Sequence, residues 1–166
     1  MKKRWISLLV ENDVGVLARI SGLFSAKSYN LNSLTVGPTE DETISRMTIS
    51  LISDDAIFEQ VKKQLNRCVE VIKVVDFTDT DTVRKEFMFV KVKKCSDADI
   101  RTLFHMAKSF QVKIVDGCAD TLLIESAQTE ERNTYLISKL REQFAGRMEV
   151  VRGGSVAIET VSAATD

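Results

Sequence analysis

The chain of 166 residues carries a single histidine, a single proline, three cysteines and no excess of either charge. Cys68, Cys95 and Cys118 are odd in number, far apart and never in a C-x-x-C. That argues against a disulfide framework and against a zinc site. They read as small apolar residues, buried or half-buried, in a reducing compartment. His105 stands alone without an identifiable partner, so it reads as a surface or boundary residue and not as a catalyst. Lys plus Arg number 23 against 24 Asp plus Glu, for a net charge of −1. Phosphate binding runs on clustered positive charge, so nucleic acid is not the expected partner. Near-neutrality does permit self-association. No run of 18 apolar residues is present, so no membrane span is expected. The opening Met-Lys-Lys leads into a strand broken by Glu11 and Asn12, not into a secretory signal, and the expected location is cytoplasmic.

What is present is an ordinary globular composition, 44% hydrophobic and 28% charged. The first half reads strand, helix, strand, strand, helix, strand. Residues 5–10 form an apolar strand. The helix over 14–27 has Val16, Leu17, Ile20, Leu23 and Phe24 at spacings of three and four, with Asn12 or Asp13 as its cap. Residues 31–36 form strand two, and Pro38 with Thr39-Glu40-Asp41 the turn. In strand three, 44–52, Met47, Ile49 and Leu51 point one way and Arg46, Thr48 and Ser50 the other. Helix two starts near Ser53-Asp54-Asp55 and buries Ile57, Val61 and Leu65. Its Glu59, Gln60, Lys62 and Lys63 read as a solvated face. Strand four covers 69–75.

A polar, acidic stretch then reads as a linker over 78–84, between an N-terminal domain at 1–77 and a C-terminal domain at 85–166. The second half repeats the plan. A strand covers 87–92. Ser96 and Asp99 resemble a capping box for a helix on Ile100, Leu103, Phe104, Ala107 and Phe110. Strands at 112–115 and 121–124 flank a turn at Asp116-Gly117-Cys118. A fourth helix buries Leu136, Ile137, Leu140 and Phe144, and strands follow at 148–151 and 156–158. The fold class is therefore α+β, two ferredoxin-like βαββαβ units, each a four-stranded antiparallel sheet with two helices on one face. Right-handed crossovers put strands one and three in the centre and strand two at an edge. Leu31, Leu34 and Val36 make that edge sticky, which favours pairing of two copies. Gly22, inside helix one, suits close helix packing, across a dimer for instance, or is simply tolerated there.

The chemistry concentrates in Asn12-Asp13-Val14-Gly15-Val16-Leu17 and in Asn30-Leu31. A helix start offers free N–H groups and partial positive charge to an anion. A carboxamide can serve an ammonium. A free amino acid needs both, and no catalytic constellation accompanies them. The two loops are expected to lie close together. As bare structure, Asn12 and Asp13 are helix caps, and Asn30 and Asn32 turn residues. Two enzyme or binding classes fit poorly. Residues 11–16 lack the Arg of an acylphosphatase-type anion loop. An RNA-binding sheet needs exposed aromatics on a basic surface, whereas Phe87 and Phe89 read as core.

The run N-D-V-G-V-L-A-R-I-S-G-L-F from Asn12, Y-N-L-N-S-L-T-V-G-P-T from Tyr29 and S-R-M-T from Ser45 resembles the regulatory (small) subunit of acetohydroxyacid synthase, also called acetolactate synthase, whose N-terminal half is an ACT domain. The resemblance is dense over 5–77. After 84 the order of elements, Ile114-Val115-Asp116 and Arg152-Gly153-Gly154 still fit. It implies a non-catalytic subunit that activates a large, thiamine-diphosphate-dependent subunit and confers feedback inhibition by a branched-chain amino acid, valine foremost. It implies no cofactor or metal here, with thiamine diphosphate, Mg and FAD in the large subunit. It implies a homodimer through N-terminal domains. By position, Asn12 and the amides of Asp13, Val14, Gly15 and Val16 would face the effector from one copy, and Asn30 and Leu31 from its neighbour, with Val14, Leu17 and Leu31 as apolar wall. The family usually has Gly where this chain has Ser28, at the end of helix one. The alternative is a stand-alone ACT-type amino-acid sensor of another enzyme or a transcription factor.

Overall fold

A computed structural model of the protein describes residues 1–26 and 29–162. Its elements run β1 (Lys2–Glu11), α1 (Val16–Ala26), β2 (Leu31–Pro38), β3 (Ile44–Ser53), α2 (Asp55–Leu65), β4 (Val71–Asp76), β5 (Thr82–Val92), α3 (Asp97–Phe110), β6 (Lys113–Cys118), β7 (Thr121–Gln128), α4 (Glu130–Phe144) and β8 (Met148–Glu159). They make two four-stranded sheets, ordered β2-β3-β1-β4 and β6-β7-β5-β8. Both orders place the first and third strands of the unit in the middle. The chain divides into two compact units, Met1–Val83 with the chain from Val156 onward, and Arg84–Ser155.

In the first unit strict alternation sorts the strands into two faces. Ile6, Leu8 and Val10 of β1 and Met47, Ile49 and Leu51 of β3 meet Val16, Ile20 and Phe24 of α1 and Phe58, Val61 and Leu65 of α2 in one core. Fully burying each such side chain contributes about 1.5–3 kcal/mol. The opposite, helix-free face carries Trp5, Ser7 and Leu9, in register with Ser50, Thr48 and Arg46. Trp5 and Phe77 cluster there with Ala157. Helix α2 begins where Asp54 accepts from the Ile57 amide at 2.8 Å. Arg4 is buried, tied to the Asp55 carboxylate and lying 5.1 Å over the Phe58 ring.

The second unit repeats the arrangement. Met88, Val90 and Val92, Leu122 and Ile124, Leu103 of α3 and Leu136, Leu140 and Phe144 of α4 form its core. At the end of that core lies a buried polar network. Arg152 donates through Nε and Nη2 to both oxygens of Glu86, at 2.8 and 2.7 Å. Asn133 donates to Glu86 Oε2 at 3.0 Å and accepts from Ser126 at 2.6 Å. Glu86 is only 3% exposed, so its charge depends on this fork of donors.

Several expectations from sequence need correction. Helix α1 starts at Val16 rather than Val14, because Asp13-Val14-Gly15-Val16 forms a turn. Leu17 and Phe104 are 44% and 56% exposed and do not belong to the helix cores. Thr82, Val83 and Arg84, in the stretch read as a linker, are part of β5. Asp116, Gly117 and Cys118 belong to β6, and β8 is one strand where two were expected. Gly22 is exposed, and among the described residues outside its own helix backbone a Cβ there would meet nothing within 4 Å, so packing within the described chain does not require it. Cys118 is exposed, unlike half-buried Cys68 and buried Cys95. Phe87 and Phe89 are not core. They form an edge-on pair, 4.9 Å between centroids, with Phe87 45% exposed. His105 is exposed, as expected.

Candidate effector site

The loop after β1 is held by its backbone. Asn12 N–H donates to the Thr43 carbonyl at 2.7 Å, and Glu11 N–H to the Glu70 carbonyl at 2.9 Å. The Asn12 side chain is not a helix cap. Its Nδ2 donates to the Glu42 carbonyl at 2.8 Å, and its Oδ1 accepts from Ser45 Oγ at 3.0 Å. The carboxamide thus pins the loop to the β2–β3 turn. That turn is itself locked by Asp41, which accepts from Thr43 Oγ1 at 2.6 Å and Thr43 N–H at 2.9 Å. These hydrogen bonds hold the Asp41 carboxyl below its usual pKa, the hydroxyl contributing most. Sequence reading missed Ser45 and Thr43 as supports, although Ser45 opens the S-R-M-T motif.

Next comes the turn. Val16 N–H donates to the Asp13 carbonyl at 3.3 Å, and Gly15 has φ +88°. A positive φ at the third position of a four-residue turn is the type II requirement, which glycine meets without strain. Among the described residues, its two chain neighbours aside, no atom lies within 4 Å of where a Gly15 Cβ would sit, so conformation and not crowding explains the glycine. The helical ladder starts with Arg19 N–H on the Gly15 carbonyl at 2.9 Å. The amides of Leu17 and Ala18 therefore have no acceptor within the helix. Asp13 is exposed, and Val14, 99% exposed, stands fully in solvent. Val16 is buried and contributes its backbone alone to the surface. Arg19 Nε, 2.7 Å from Glu70, ties the helix start to the residue just before β4.

Asn30 and Leu31 are elsewhere, which overturns the expectation that the two loops meet within one chain. Glu11 pairs with Ile44 at one end of β3, while Leu31 pairs with Leu51 near the other. At about 3.4 Å per residue the two ends stand roughly 24 Å apart. Asn30 is exposed, and Leu31 leans on the core. Ser28 lies outside the described residues.

The first helix of the first βαββαβ unit thus starts without a side-chain cap among the described residues, and a second unit repeats the topology. Sequence profiles identify the class. Residues 6–73 match the AHAS small subunit-like ACT domain, and residues 85–161 match the small subunit of acetolactate synthase. An acetolactate synthase small subunit from Aquifex aeolicus is 39% identical over 158 residues, covering 95% of this chain and 81% of its own. That from Haemophilus influenzae is 36% identical over 158 residues, covering 94% of each. The crystal structure of the acetolactate synthase small subunit from Thermotoga maritima superposes with a TM-score of 0.85 at 30% identity, covering 96% of this chain and 98% of that one. The chain belongs to the acetolactate synthase small-subunit family. It is accordingly a regulatory and not a catalytic chain, and its membership implies a large catalytic partner subunit.

Proposed function

We propose that this chain activates the thiamine-diphosphate-dependent large subunit of acetolactate synthase and makes it sensitive to a branched-chain amino acid, valine first, in branched-chain amino-acid biosynthesis in the cytoplasm. The chain itself would carry no cofactor, with thiamine diphosphate, Mg and FAD in the large subunit. The effector carboxylate would sit on the amides at the start of α1, where the helix dipole favours an anion by about 0.3–1 kcal/mol. Asn30 and the start of β2 would hold the ammonium. Val14, Leu17 and Leu31 would enclose the aliphatic side chain, discriminating by about 1–3 kcal/mol per methylene.

One observation carries this reading. The two halves of the site stand at opposite ends of one sheet, so a single chain cannot close it. A twofold-related copy solves this, because an isologous contact sets one copy's α1 start against the other's Asn30. The exposed apolar side chains of Val14 in the turn, Leu17 on α1 and Val36 on edge strand β2 fit such a contact.

Calorimetry with valine tests the site. In Gly15→Asp the new carboxylate competes for the Leu17 and Ala18 amides, so valine binding is expected to vanish while the circular dichroism stays native. Equal affinity of variant and wild type would defeat the assignment. Assay of the large subunit with this chain added, with and without valine, tests activation and inhibition together.

A further inference from the structure

A second hollow lies on the helix-free face of the first sheet. It encloses about 240 Å³ and is lined by Leu9, Val75 and Ile158, with Arg46, Lys73 and Glu159 around it. The register explains the arrangement. Leu9 of β1 pairs with Arg46 of β3 on one side and with Lys73 of β4 on the other. Three neighbouring strands therefore present cation, leucine, cation in one row. With strands about 4.8 Å apart, the two cationic backbones stand roughly 10 Å apart, within reach of one small anion between them.

Several other cations of this unit are ion-paired: Lys2 with Asp79, Arg4 with Asp55, Arg19 with Glu70, and Lys62 with Glu59 and Asp76. Arg46 and Lys73 have no ion-pair or hydrogen-bond partner among the described residues. Glu159, on the rim, is likewise unpaired there, so the lining carries a net charge of +1 from two cations and one acid. The floor is apolar over Leu9, Val75, Phe77 and Ile158, and Ser7 adds a hydroxyl to the lining. A cavity below about 300 Å³ is too small for a drug-sized ligand and suits a body of a few carbons.

We infer that this hollow binds a short aliphatic monocarboxylate, its head held by Arg46 and Lys73 and its tail on Leu9, Val75 and Ile158. Charge-assisted hydrogen bonds to the guanidinium and ammonium hold the head, and the anion relieves the repulsion between them. The site is separate from the effector cradle, since it lies on the sheet face opposite α1 and uses none of its residues.

The test uses the whole chain and 3-methylbutanoate as probe, followed by methyl NMR and calorimetry. The methyl signals of Leu9, Val75 and Ile158 are expected to shift on titration. The double variant Arg46→Gln, Lys73→Gln should weaken binding at least about tenfold, the loss of one strong polar contact. Glu159→Gln, which removes the opposing charge, should tighten it. All three side chains are exposed, so the variants fold, as melting curves will check. In Gly15→Asp the probe should bind as in wild type even where valine does not, which separates this site from the effector cradle. Shifts confined to Val14, Leu17 and Leu31, no shifts at all, or undiminished affinity in the double variant would overturn the proposal.

Discussion

The two units meet the same problem, a central strand turning into a helix, and answer it differently. After β5, Ser96 and Asp99 close a capping box, with Asp99 N–H on Ser96 Oγ at 3.2 Å and Ser96 N–H on Asp99 Oδ2 at 2.9 Å. Arg147 then covers it, donating to Asp99 Oδ2 at 3.0 Å and to the Lys94 carbonyl at 2.7 Å. After β1 there is a glycine turn, no side-chain cap, and an exposed valine. A capped helix start is about 1 kcal/mol more stable than an uncapped one. Forgoing that in one unit while completing it in the other leaves the first-turn amides uncapped in the first of these two helix starts alone. Identical topology thus carries different chemistry, and the difference sits in four residues of turn.

Substitutions break or sharpen this contrast. The largest stability effect is expected where charge is buried. Arg152→Met would strand the Glu86 carboxylate and cost about 3 kcal/mol in urea unfolding, without changing valine affinity. Gly15→Ala should cost about 1–2 kcal/mol, because alanine is strained at φ +88°, and it should weaken valine binding by distorting the turn. An Ala variant as stable as wild type would remove the conformational argument. Ser96→Ala should cost about 1 kcal/mol and leave valine binding untouched; any loss of affinity would mean the second helix start also serves the effector.

The smallest effect is one of pH. The Arg147 guanidinium and the Ser96 amide hold the Asp99 carboxyl down at about 2, against an ordinary value of 3.8. A carboxyl depressed in the folded state contributes stability above its unfolded pKa and loses it as pH falls through the folded one. The second unit should therefore weaken between about pH 4 and pH 2, and Asp99→Asn should flatten that part of the profile. An Asp99 carboxyl titrating near 3.8 by NMR would show the lid of Arg147 to be absent in solution.

Much of the fold was legible because hydrophobic periodicity reports directly on burial. The alternation of Met47, Ile49 and Leu51 against Arg46, Thr48 and Ser50 predicted both faces of β3 correctly. The capping box at Ser96 was visible because its spacing is local. Errors came where long-range contacts decide. Phe87 and Phe89 are apolar and so read as core, yet they stand on the helix-free face. Asn12 fits a cap by spacing, yet its carboxamide is taken by Glu42 and Ser45, about thirty residues away in sequence. The row of Lys73, Leu9 and Arg46 was invisible, since a cross-strand row depends on register and β4 shifts register between Leu9 and Val10.

Sequence alone determined the two βαββαβ units, the capping box at Ser96 and the family, because each is written in spacings of a few residues. Tertiary structure alone decided that the loop at Gly15 and the carboxamide of Asn30 lie at opposite ends of a sheet. Strand pairing sets that separation, and no local pattern encodes which end of a strand its neighbour begins at.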